Sequence, residues 1–181
     1  MNALTLEELC ALLTVVVVSG AMVTDLRSRR IPNVLTFTAF GAALALRIAF
    51  DGWLGLGLAL AGALAAPAVL LIAHAGRGLG MGDIKLAIAV GALLGPKLAI
   101  ASMLCGAVIG GVIAIGLLMR HGHILSGFFW LFLSSLPFLK RKSVEPGASA
   151  PASLTMPYGV AIGVGSLITL AVYTWLGTSL L

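Results

Sequence analysis

The sequence predicts an all-α, polytopic integral membrane protein with about six transmembrane helices and its N-terminus outside. Three observations carry this expectation. The 181 residues are 60% hydrophobic and only 9% charged, with a mean hydropathy of +1.14, whereas a soluble domain covers its surface with about 25% charged residues. The apolar runs are long and continuous rather than alternating at period two. In lipid, where backbone groups must be satisfied within a helix or a closed barrel, that pattern selects helices. The basic residues also gather between particular runs, as they do on the inner side of membrane proteins.

The first segment, Leu6–Thr24, carries Glu7 and Glu8 ahead of its apolar run and has no basic region before it, so it reads as a spanning helix that starts outside rather than a cleaved signal peptide. Asn33–Phe50, Trp53–His74, Asp83–Leu94, Lys97–Met119 and Pro157–Leu176 follow as apolar segments. Asp83–Leu94 is short for a bilayer core of about 30 Å. Either it begins below the surface or Gly95-Pro96 is a kink that merges it with the next segment. With the N-terminus outside, the inner loops hold Arg27, Arg29, Arg30, Arg77, Arg120, Lys140, Arg141 and Lys142, and the outer side only Arg47 and Lys97. The opposite orientation inverts this distribution.

The stretch from His121 to Lys142 is interrupted by Ser126, Gly127, Ser134, Ser135 and Pro137. A crossing there would carry Lys140, Arg141 and Lys142 outside, so an interfacial helix over about 121–142, anchored by Trp130, is expected instead. Residues 143–156 are rich in Pro, Ala and Ser and read as a flexible inner loop. Gly106 with Gly110, and Gly159 with Gly163, have the spacing of helix-packing seams.

Composition excludes several functions. A net charge of +5 with no soluble basic domain follows the membrane charge bias rather than nucleic-acid binding. Cys10 and Cys105 lie singly in apolar runs and make neither a CxxC pair nor an expected disulfide. His121 and His123 are too few for a zinc site, and His74 reads as interfacial. No metal and no cofactor are expected.

Of six acidic residues, Glu7, Glu8, Asp51 and Glu145 fall in the N-terminal tail or in expected loops, where charge costs little. Asp25 and Asp83 stand at the edges of spans, where an ionisable group is a functional candidate by default. Both fall on the inner side. Two carboxyls at one depth can share a proton and a water, the ionised one taking a proton while the other polarises a peptide carbonyl. Gly78, Gly80 and Gly82 leave the backbone before Asp83 open to the approach of another chain. Asp83 is also expected to cap its helix. Lys85, two positions on, faces elsewhere, and Asn33 after Ile31-Pro32 is expected to cap the second helix and fix the turn beside Asp25. From the residues alone a second reading stands level: Asp25 as a headgroup-level partner of Arg27, Arg29 or Arg30, and Asp83 as a plain N-cap.

Three stretches resemble the prepilin peptidase (type IV leader peptidase) family. Asp25-Leu26-Arg27-Ser28-Arg29-Arg30-Ile31-Pro32-Asn33 is similar to its Asp-to-(I/L)PN element. Gly80-Met81-Gly82-Asp83-Ile84-Lys85-Leu86 resembles its GxGDxKL element, and Met156-Pro157-Tyr158-Gly159 its (I/M)PYG entry into the last helix. The resemblance spans nearly all the chain. It implies a single transmembrane peptidase domain over 1–181 in the cell inner membrane, an intramembrane aspartic endopeptidase with Asp25 and Asp83 as catalytic residues. Gly80, Gly82, Lys85, Asn33, Pro157, Tyr158 and Gly159 are then site support. The implied substrate is a prepilin or pseudopilin precursor cut at the cytoplasmic face, with membrane lipid and the pilus or secretion machinery as surroundings. The chain lacks the paired CxxC portion of long bifunctional members, so methyltransferase activity is not expected, and the short form resembles peptidases of tight-adherence pili or of archaeal preflagellins. The competing readings are a lipoprotein signal peptidase, a small transporter or channel with Asp25 and Asp83 as an ion or proton site, and a non-catalytic pilus-assembly subunit.

Overall fold

A computed structural model describes residues 5–73, 80–120 and 158–177. The expected interfacial helix over 121–142, the flexible segment 143–156, Pro157, and His74, His121 and His123 lie outside the described residues.

Helix α1 (Leu6–Ser28) opens with a reciprocal capping box. Thr5 Oγ1 accepts from the Glu8 N–H at 3.3 Å and Glu8 Oε2 accepts from the Thr5 N–H at 2.9 Å. It runs a turn beyond the expected Thr24, because the chain stops only where Arg29 adopts a left-handed conformation (φ 51) and returns its N–H to the Asp25 carbonyl. Asp25 therefore sits in the last turn of the helix rather than beyond it.

The other described elements are α2 (Asn33–Ala73), α3 (Met81–Arg120) and α4 (Tyr158–Leu176). All four are long and apolar enough to cross a membrane, where six separate helices were expected. The difference has a local cause. The expected second and third segments are one element broken only at Gly52 (φ 60, ψ −138), and the fourth and fifth one element broken only at Gly95 (φ 75, ψ 173). A single glycine in the left-handed region reverses direction without loop residues, and Pro96 has no N–H with which to continue the ladder.

Both breaks fold the chain back. A side chain at Gly55 would collide with the carbonyl of Arg47, eight residues earlier and about 12 Å away in a straight helix. A Cβ at Gly110 would touch the Tyr158 ring at 3.0 Å, and Tyr158 is also within electrostatic range of Asp83. A straight α3 would hold Asp83 and Gly110 about 40 Å apart.

The first limb of α3 is the central rod, with Leu86, Ala87, Ala89, Val90, Ala92, Leu93 and Leu94 all buried. Leu86, Val90 and Leu94 pack against Val18 and Ala21 of α1, Ala66 and Leu70 of α2 and Ile162 of α4. Glycines set the closest approaches. Gly62 and Gly91 meet backbone to backbone, Gly106 meets Gly165 and Ala161, and Gly163 meets Met22, so the two expected seams are packing seams. Beside one of them Ser102 Oγ and Ser166 Oγ share a buried hydrogen bond of 2.7 Å. The outward faces carry Leu12, Val16, Leu64, Ile72, Val108 and Trp175, all exposed, a surface suited to lipid.

Candidate active site at one end of the bundle

Each acidic candidate is placed by a helix terminus. Asp25 lies one turn before the left-handed cap at Arg29 and is 6% exposed, with its Oδ2 buried and without a hydrogen-bond partner among the described residues. Asp83 lies in the first turn of α3, half-buried. It is not the N-cap that was expected. Gly80 occupies that place, and Asp83, at the third helical position, reaches back so that its Oδ2 accepts from the Gly80 N–H at 3.2 Å. This is the return half of a capping box, and it holds the carboxyl against a backbone without side chains.

The turn after α1 joins the two. Ile31 lies 3.4 Å from where a Cβ on Gly82 would stand, and its Cδ1 lies 3.2 Å from the corresponding point at Gly159. That same point is 2.8 Å from Asp25 Oδ2. Gly159 is thus the space Asp25 occupies, and Ile31 is the wedge between the starts of α3 and α4. The two carboxyls stand within electrostatic range of one another, and Asp83 within range of Tyr158.

Asn33 is the first residue of α2 rather than its cap: Pro32 stands at the cap position, its carbonyl accepting from the Thr36 N–H at 3.4 Å. Its side-chain oxygen instead accepts from Lys85 Nζ at 3.0 Å, and that ammonium stands 5.5 Å from the centre of the Phe37 ring. Lys85 thus turns to α2 rather than to Asp83.

The structure therefore brings Asp25, Asp83, Gly80, Gly82, Tyr158 and Gly159 to one end of the bundle, with Lys85 and Asn33 paired beside them. Reasoning from sequence missed Ile31, although an apolar residue between Arg30 and Pro32 was a signal. It also missed Arg47, a lone cation inside an apolar run that the charge count assigned to the outer surface; it is in fact 3% exposed. Among the described residues no group of three His, Cys, Asp or Glu side chains is placed to hold a metal ion. Chemically, the end offers two carboxyls, one buried and one reachable, against a glycine-lined approach.

Residues 10–115, more than half of the chain, match the family model described as the type IV leader peptidase family. Searches of curated proteins and of solved structures gave no match.

Proposed function

Because the chain belongs to the type IV leader peptidase family, we propose that it is an aspartic endopeptidase that removes the leader of a type IV prepilin or pilin-like precursor, with Asp25 and Asp83 as its catalytic pair. Membership itself implies a leader-peptidase-like protease with a prepilin-like protein substrate, in a multi-pass helical membrane protein. The aspartic mechanism rests on one observation: Ile31 touches both Gly159, whose open space holds the Asp25 carboxyl, and Gly82 beside Asp83, so two carboxyls far apart in sequence gather at one end of the bundle.

Two such carboxyls share one proton, because both cannot ionise easily at short range. The ionised member takes a proton from a water held between them, and the water oxygen attacks the scissile carbonyl carbon. The protonated member gives its proton to the carbonyl oxygen. As the gem-diol intermediate collapses, the C–N bond breaks, the now protonated carboxyl gives its proton to the leaving nitrogen, and the other takes one from a hydroxyl of the intermediate, so the pair again holds one proton. Gly80 and Gly82 leave room for an extended substrate strand beside Asp83, and the apolar pilin helix lies against the lipid-facing surface.

The same reading sets the topology. The reversals at Gly52 and Gly95 support six crossings, with α2 and α3 contributing two each. The exposed Arg27 and Arg30 share the end that carries the carboxyls, which favours that end as cytoplasmic, the N-terminus outside and the inner membrane as the location.

The test is leader cleavage of a co-expressed prepilin by wild type, Asp25→Asn and Asp83→Asn. Asparagine keeps size and polarity but cannot cycle a proton. Each single change is expected to abolish cleavage while the protein stays in the membrane; normal processing by either variant removes the aspartic mechanism.

A further inference from the structure

Helices α2 and α3 are joined at both ends by cationic side chains. At the carboxyl end the joint is Lys85 on Asn33. At the far end Arg47 Nη2 donates to the Leu93 carbonyl at 2.9 Å, and the guanidinium also lies against Gly95. That carbonyl is one the helix cannot use, because the break at Gly95 removes the Lys97 N–H from its reach. Arg47 is 3% exposed, and its Nε has no hydrogen-bond partner among the described residues. A guanidinium buried in an apolar segment is costly unless its contacts compensate it. The remaining side of the group faces a cavity of about 30 Å³ shared with Glu7 and Tyr173, whose own hydrogen bond of 2.7 Å ties α1 to α4 over the same joint.

We propose that Arg47 is a positioning residue for the carboxyl pair. It fixes the Gly95 end of the rod formed by residues 81–94, and through that rod it sets where Asp83 stands relative to Asp25. The inference rests on the proteolytic reading above. The same end is met by Gly62 of α2, whose backbone packs against Gly91 and Gly95 on either side of Leu93, so this contact and the Arg47 bond form one joint. Asp83 lies about 15 Å along the rod from Leu93, at 1.5 Å per residue. A tilt of about 4° at this joint therefore displaces the carboxyl by about 1 Å. The Lys85–Asn33 bond, half-exposed, is the weaker restraint against that swing, since a net hydrogen bond contributes only about 1 kcal/mol.

The experiment uses the full chain in phosphatidylethanolamine/phosphatidylglycerol nanodiscs, comparing wild type, Arg47→Lys and Arg47→Met. Cys10→Ala and Cys105→Ala provide the background, and spin labels at Val34→Cys and Met81→Cys, both exposed at the carboxyl end, report the distance between α2 and α3. Arg47→Met is expected to shift or broaden that distance by roughly 1–2 Å, the displacement a tilt of several degrees about the joint produces. It should also lower kcat for prepilin cleavage roughly 10- to 100-fold with KM unchanged, as a misplacement of about 1 Å does. Arg47→Lys, with a single-headed donor, should fall between the two in both readouts, and it carries the comparison alone if Arg47→Met does not accumulate folded. A wild-type distance in the variants overturns the positioning role, as does a shifted distance with wild-type kcat. If the unsubstituted protein cleaves no prepilin, the proteolytic reading fails, and the distance arm still decides whether Arg47 holds the rod.

Discussion

A methyl group at position 159 should silence the site while leaving the fold in place. The Cβ of Gly159→Ala would fall 2.8 Å from Asp25 Oδ2, 3.1 Å from its carboxyl carbon and 3.2 Å from Ile31 Cδ1. Ordinary carbon contacts begin at about 3.5 Å, so the carboxyl must retreat by about 0.7 Å or α4 must move away from α1. Neither response is easy. Asp25 is buried in the last turn of α1, and α4 is held by the Gly163–Met22 and Gly165–Gly106 approaches. A forced displacement approaching 1 Å costs up to about 100-fold in rate where two groups must be aligned on one water; the expected loss in kcat is therefore about 10- to 100-fold. Overpacking should cost about 1–3 kcal/mol of stability. The assay is leader cleavage by purified protein in detergent, with thermal unfolding run in parallel. Gly41→Ala, whose Cβ meets nothing within 4 Å, is the control and should be neutral or slightly stabilising. Cleavage by Gly159→Ala at the wild-type rate, in protein that unfolds at the wild-type temperature, would refute the claim that Gly159 fixes the Asp25 carboxyl.

Gly62→Ala should destabilise the bundle by about 1–3 kcal/mol, because its Cβ would enter the Gly91 backbone; a lower thermal midpoint in detergent checks this. Lys85→Ala and Asn33→Ala should be non-additive, with a coupling of about 0.5–1.5 kcal/mol for the 3.0 Å bond between them. A double-mutant cycle on thermal stability gives the number, and additive losses would mean the bond contributes nothing. Reporters fused after Arg30 and after Asp51 should give cytoplasmic and external signals respectively, since the chain reverses at Gly52. Equal signals at both points would contradict a crossing between them.

Much of this was legible in the sequence because membrane helices announce their ends. Apolar runs stop where charge, glycine or proline appears, and those signals located the termini on which Asp25 and Asp83 sit. Hydropathy ended the first helix at Thr24, however, since it weighs Asp25 and Arg27 as exits, while the backbone ends only at the left-handed Arg29. The same blindness counted six separate helices. Asp51-Gly52 reads as a loop between two spans, whereas the backbone breaks there at Gly52 alone, and Gly95-Pro96 was recognised as a kink that could join two segments. Lateral neighbours are harder still. That Asn33 would receive Lys85 rather than cap its own helix depends on how α2 and α3 lie side by side, and no local pattern encodes that. Arg47 shows the limit of counting charges: a side chain reaching along a helix can place its head inside the protein, and a tally by loop puts it on the surface.

Lipid gives helices no hydrophobic reason to associate, so they hold where backbones come closest. In this chain those approaches are Gly62 on Gly91, Gly106 on Gly165 and Gly159 against the Asp25 carboxyl. They also decide where the two acidic side chains can stand. Asp25 is fitted into the absence of a side chain at 159, and Asp83 is held by the bare N–H of Gly80. Lys85 turns away from them to Asn33, and Arg47 binds a carbonyl at the other end. An arrangement set by backbone contact has little freedom to adjust to an added methyl group.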